Sequence, residues 1–155
     1  MEAITNACVL AGGTGTRLRP LTNTIPKPAI EVGGKPVIRH ILDWLEKVGF
    51  EQIYVKTYYL ADKVRDAIGN DPNVVIIREM NIKPTAVFLR DNAKKLDEEF
   101  LVTNGDTLTN LNLKEFIDFH LSNKNIATIF THHDGVHSGG TYVFDKVVLK
   151  YIKDG

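Results

Sequence analysis

The chain has 155 residues, 43% of them hydrophobic, with 19 lysines and arginines against 19 aspartates and glutamates. A chain of this length buries roughly 70% of its unfolded surface in one core, so a single domain over residues 1–155 is expected. The zero formal charge leaves no basic field to recruit nucleic acid, and no apolar stretch is long enough to cross a bilayer.

The run Ala3 to Leu10 is short and partly β-branched, as a buried first strand should be. Cys8 lies inside it as a small buried hydrophobe, and with no second cysteine an intrachain disulfide is excluded. Glu2 stands where a signal peptide would begin with cations, so a soluble cytoplasmic protein is the expectation.

Directly behind this strand comes LAGGTGTRLRPLTNTIPKP, Leu10 to Pro28. Gly12, Gly13 and Gly15 let backbone N–H groups approach an anion closely. Arg17 and Arg19 add planar forks of donors that match phosphate oxygens, and Lys27 is a cation stiffened by Pro26 and Pro28. The combination reads as a polyphosphate cradle. Two other cradles are excluded by spacing: Gly34-Lys35 is followed by Pro36, where a Walker A loop needs Ser or Thr, and the GxGxxG register from Gly13 ends on Leu18.

Pro36 opens a helix with Val37, Ile38, Ile41, Leu42, Leu45 and Val48 on its apolar face, and Gly49 ends it. Trp44 belongs to the core or an interface. A second strand, Gln52 to Thr57, precedes a helix from Leu60 to Ile68, and Val74 to Ile77 forms a third strand after the turn Asn70-Asp71-Pro72. Thr85 to Lys95 reads as a further helix and Phe100 to Thr103 as a fourth strand. Asn112 caps a helix from Leu113 to Leu121, with Glu115 closing a capping box. Strands follow at Ala127 to Thr131 and Thr141 to Phe144, and Asn23 to Gly34 and His132 to Gly140 are the least regular stretches. His40 and His120 are placed on helix surfaces. This alternation specifies an α/β fold of three layers, α/β/α and Rossmann-like, with a mainly parallel sheet and ligands at the carboxyl ends of its strands.

Asp106 follows a strand and Gly105, which places its carboxylate at that edge, where a hard cation such as magnesium could bridge it to phosphates. An aspartate in an Asn-Gly-Asp turn is the competing reading. His132, His133, Asp134 and His137 have the chemistry of zinc ligands, although a polar strand end is the simpler account. Tyr54, Tyr58 and Tyr59 are spaced too loosely to form a base-stacking platform.

The block from Gly12 to Thr22, then Pro26-Lys27-Pro28 and Gly34-Lys35-Pro36-Val37-Ile38, resembles the N-terminal signature of the sugar-1-phosphate nucleotidyltransferases. Leu101 to Asp106 is similar to their strand-end Gly-Asp, and Thr131-His132-His133-Asp134 to mannose-1-phosphate guanylyltransferase-like members of a family that also has glucose-1-phosphate thymidylyltransferase-like ones. The resemblance implies transfer of a nucleoside monophosphate from a nucleoside triphosphate to a sugar 1-phosphate or similar acceptor, with release of pyrophosphate. It implies that Leu10, Ala11, Gly12, Gly13, Gly15, Thr16, Arg17 and Gly105 bind the nucleotide. Arg17, Lys27 and Asp106 would carry the chemistry, with Asp106 holding Mg2+.

The sequence departs from the family pattern twice. Ile82 to Leu89 stands where the family has Leu-Gly-Thr-Ala-Gly-Ala, and after His133-Asp134 the chain runs straight into Ser138-Gly139-Gly140 without a Glu-Lys-Pro segment or a later metal aspartate. A shortened acceptor side leaves two expectations open. One is a compact transferase; the other is a catalytically impaired nucleotide-binding module that regulates or assembles with a full-length relative. In either case a sheet edge left uncovered favours association with another copy.

Overall fold

The computed structural model describes residues 4–133 and 135–153. Its frame is a six-stranded sheet built from β1 (Asn6–Ala11), β4 (Gln52–Thr57), β5 (Val74–Arg78), β6 (Glu99–Asn104), β7 (Ala127–Thr131) and β8 (Ser138–Asp145). A separate hairpin pairs β2 (Glu31–Val32) with β3 (Lys35–Pro36), and the helices are α1 (Val37–Val48), α2 (Ala61–Ile68), α3 (Thr85–Asp91) and α4 (Leu113–Asn123). The strand order is β5-β4-β1-β6-β8-β7. The first four strands run parallel, and β8 pairs antiparallel with both β6 and β7.

Alternation along the strands explains the three layers. Ala7, Val9 and Ala11 of β1 join Leu101 and Val143 in a core covered by α1, α2 and α4. Their neighbours Cys8 and Leu10, with Val102, Tyr142 and Phe144, point the other way, against Phe88 and Leu89 of α3 and Leu149 of the 3-10 turn Lys146–Tyr151. Successive side chains leave a strand on opposite faces, so strands apolar at nearly every position need cover on both. The expected three-layer fold is therefore observed.

Local sequence accounts for most boundaries. In α1, Val37, Ile38, Ile41, Leu42 and Leu45 are buried, and Gly49 ends the helix at φ 105, donating to the Glu46 and Leu45 carbonyls. Outward-facing Arg39 pairs with Asp43 at 2.6 Å, Glu46 at 3.0 Å and Asp71 at 2.5 Å, tying α1 to the turn before β5.

Several expectations are corrected. The stretch read as a helix to Lys95 stops at Asp91, because the Asn92 side-chain amide donates to the Phe88 carbonyl at 2.9 Å and a 3-10 turn, Ala93–Lys95, follows. The last strand is longer than its apolar centre and starts at Ser138. Within the stretch read as irregular, β2 begins a hairpin; the His40 ring N–H donates to its Val32 carbonyl at 2.8 Å. Asn112 does cap α4, but Glu115 answers through its carboxylate, which accepts from the Asn112 side-chain amide at 2.7 Å instead of from the backbone. His120 is fully buried, not on a helix surface: its Nδ1 is 2.7 Å from the Thr128 hydroxyl, and its Nε2 has no partner. Trp44 is half-buried against the first core. No helix among the described residues is long and apolar enough to cross a membrane.

Candidate active site

From β1 the chain moves outward to β4 and β5, then returns to the other side of β1 to make β6. The order reverses between β1 and β6, and in open α/β sheets such a switch point opens a crevice at the carboxyl ends of the strands. The turn after β1 begins at Gly12, and the end of β6 leads into Gly105-Asp106. The two are held together by the Gly105 N–H, which donates to the Leu10 carbonyl at 2.8 Å. A side chain at Gly105 would stand 3.0 Å from both the Ala11 Cβ and the Leu10 oxygen, so anything larger than glycine forces these neighbours to give by a few tenths of an ångström.

The turn after β1 is ordered without any strand or α-helix. Gly15, at φ 65, starts the 3-10 turn Thr16–Leu18, and two more follow at Leu21–Asn23 and Lys27–Ala29. Thr22 is fully buried beneath them and donates its hydroxyl to the Gly15 carbonyl at 2.7 Å. Tyr59 donates its hydroxyl to the Thr22 carbonyl at 2.8 Å, and the Lys63 ammonium donates to that of Thr24. Residues from the β4–α2 junction thus pin the cradle from behind.

Lys27 reaches back across the turn, its Nζ 3.4 Å from the Asp106 carboxylate, and both side chains are partly exposed. Beside this pair lies a cavity of about 600 Å³. Leu10, Gly12, Gly13, Asn104 and Asp106 line one side; Lys56, Glu79, Ile82, Lys83, Pro84 and Thr85 line the other.

The sequence-expected residues distribute unevenly over this geometry. Leu10, Gly12, Gly13 and Asp106 line the cavity, Lys27 meets Asp106, and Gly105 with Ala11 sets the packing beneath. Gly15 and Thr16 shape the cradle, whereas Arg17 is exposed, lines no part of the cavity and makes no ion pair among the described residues. Asp134 lies outside the described residues, and among those described no group of three or more His, Cys, Asp or Glu side chains is placed to hold a metal. His132, His133 and His137 by themselves are thus not gathered as a metal site. The donor set at Asp106 nevertheless suits magnesium, which is commonly held by one or two carboxylates together with phosphate oxygens and water.

Sequence reading missed Lys56, Glu79 and Asn104. A lysine inside the apolar strand β4 and a glutamate at the end of β5 were available signals, since buried charges need partners. Lys56 and Glu79 pair at 3.0 Å with side chains only 8% and 6% exposed.

Among known families, the nucleotidyl transferase model matches residues 6–139. The bifunctional protein GlmU of Methanocaldococcus jannaschii is 35% identical over 114 residues, covering 74% of this chain and 28% of that protein. The UTP--glucose-1-phosphate uridylyltransferase of a Synechocystis species is 36% identical, covering 81% of this chain and 36% of that protein. The chain therefore spans about a third of the length of these curated relatives. Among solved structures, HddC from Yersinia pseudotuberculosis complexed with GMP-PN superimposes with a TM-score of 0.79 at 27% identity, covering 97% of this chain and 81% of that one.

Proposed function

The chain belongs to the nucleotidyl transferase family, and on that premise we propose that it transfers a nucleoside monophosphate from a nucleoside triphosphate to a sugar 1-phosphate. An oxygen of the acceptor phosphate attacks the α-phosphorus in line. The bond from that phosphorus to the oxygen bridging the β-phosphate breaks, and pyrophosphate leaves. The observation that carries this reading is the Lys27–Asp106 pair, 3.4 Å apart at the edge of a cavity lined by Gly12 and Gly13.

The residues have separable tasks. Backbone N–H groups of the turn from Ala11 to Thr16 hold the triphosphate, and Arg17, exposed outside the cavity lining, reaches in to its outer phosphates when it binds. Leu10, Ile82 and Pro84 offer apolar surface to a nucleoside. Lys27 neutralises charge on the reacting phosphates, where a preorganised cation acts without reorganising. Asp106 would hold magnesium, which when bound would supply further charge neutralisation at the phosphates.

A second reading is an impaired module that binds nucleotide and assembles with a second copy or a longer relative. It is favoured by the lack, among the described residues, of any group of three or more His, Cys, Asp or Glu side chains placed to hold a metal. One experiment separates the two: pyrophosphate release with magnesium, each nucleoside triphosphate in turn and a panel of sugar 1-phosphates, with Asp106→Asn as control. Release that needs both substrates and is lost in the variant supports the transferase. Bound nucleotide without release supports the module.

A further inference from the structure

The segment from Glu79 to Pro84 carries no helix or strand, yet it forms one wall of the cavity. Its exposed tips are apolar: Met80 is 84% and Ile82 64% exposed. Such a segment, with little core of its own, would be expected to open locally at low cost. The Glu79 N–H donates to the Thr57 carbonyl at 2.8 Å and Lys83 pairs with Asp91 of α3 at 2.7 Å, but one side chain of the sheet spans both ends of the segment. The Lys56 ammonium lies 3.0 Å from the Glu79 carboxylate, where the segment leaves β5, and donates to the Lys83 carbonyl at 2.9 Å, near its far end. The same ammonium stands 5.0 Å from the centre of the Phe88 ring, on the helix the segment leads into.

The geometry points to Lys56 as a positioning residue that staples the cavity wall, joining both ends of the Glu79–Pro84 segment and α3 to β4. This deepens the proposed function and rests on its reading of the cavity as the nucleoside site. Lys56 itself need not touch the ligand. Its charge is matched by Glu79, whose carboxylate oxygens are buried and have no hydrogen-bond partner, so the ion pair with Lys56 is what accommodates them. Without Lys56 that carboxylate has to turn toward water, and Glu79 lines the cavity the wall encloses, so the wall shifts with it. The phosphate cradle, pinned separately by Thr22 and Tyr59, stays in place.

The staple therefore separates two affinities. Nucleoside triphosphate reaches the wall, whereas inorganic pyrophosphate engages the cradle alone. In the 155-residue protein, Lys56→Met is compared with Lys56→Met/Glu79→Leu. The double variant removes both buried charges and so avoids the unpaired carboxylate that could unfold the single variant. Dissociation constants are measured calorimetrically with magnesium for GTP, UTP, CTP, ATP, dTTP and pyrophosphate, and amide exchange is followed over residues 79–85.

The expected result, in the folded double variant, is a tenfold or greater rise in the dissociation constant of the preferred triphosphate. The constant for pyrophosphate should move by less than twofold, and the wall amides should exchange at least tenfold faster. Triphosphate binding within twofold of wild type would overturn the staple, as would parallel loss of triphosphate and pyrophosphate. A wild-type protein that binds no triphosphate overturns the nucleotide reading itself, a failure visible before any substitution is made.

Discussion

Replacing Gly105 by alanine tests the claim that one missing side chain sets the distance between the cradle and Asp106. The added methyl would lie 3.0 Å from the Ala11 Cβ, 3.0 Å from the Leu10 oxygen and 3.2 Å from the Ala11 Cα. Two of these three atoms are backbone in the central strand of the sheet, so no flexible side chain can move aside. Overpacking of this kind costs about 1–3 kcal/mol. For a domain of this size that lowers the melting temperature by roughly 3–9 °C. The relief has to come from Gly105 itself lifting away from Leu10, which weakens the 2.8 Å hydrogen bond between them and displaces Asp106. Gly13→Ala is the control, because a methyl there meets nothing within 4 Å. Thermal melts followed by circular dichroism should show Gly105→Ala shifted and Gly13→Ala within about 2 °C of wild type, the range of a roughly ±0.5 kcal/mol surface change. Triphosphate titration should show that Gly105→Ala weakens the contribution of magnesium. A Gly105→Ala protein that melts with wild type and binds as tightly would refute the reasoning.

Asp106→Asn should lower turnover by roughly a hundred- to a thousand-fold and remove any strengthening of nucleotide binding by magnesium, as read by pyrophosphate release and calorimetry. Burial and the lack of a partner at Nε2 hold the His120 imidazole below its ordinary value, against the weaker upward pull of Glu99 and Asp145. The unfolded chain therefore takes up this proton first as pH falls below about 6.5. His120 contributes a loss of stability from that point downward, and urea midpoints between pH 7.5 and 5 should fall less steeply in His120→Leu than in wild type. The Cys8 thiol is 1% exposed and pushed up to about 12 by burial, with Lys56 pulling weakly the other way. Alkylation at pH 8 should accordingly be absent in the native protein and complete in denaturant.

The glycine-rich turn was legible because its parts are local. Gly12, Gly13 and Gly15 need only be neighbours in sequence to be neighbours in space, whereas Arg17 follows them closely in sequence yet lines no part of the cavity. The strands were legible for a related reason: apolar at nearly every position, β1 and β6 declare cover on both faces before any helix is placed. His120 shows where this reasoning fails. Helical periodicity puts it at the margin of an apolar face, but Thr128 of β7 closes over it and buries it completely. Local pattern cannot anticipate which strand lands on which turn of a helix.

The sequence by itself determined the three-layer alternation, the glycine-rich turn and the position of Asp106 at a strand end, since each follows from the period of side chains along a few consecutive residues. Only the tertiary structure decided that Lys27 meets Asp106 at 3.4 Å, that Tyr59 pins the cradle and that Lys56 joins Glu79 to Lys83. Those contacts join residues 23 to 79 positions apart, and their geometry is set by how the parallel strands stack, β4 and β6 on either side of β1.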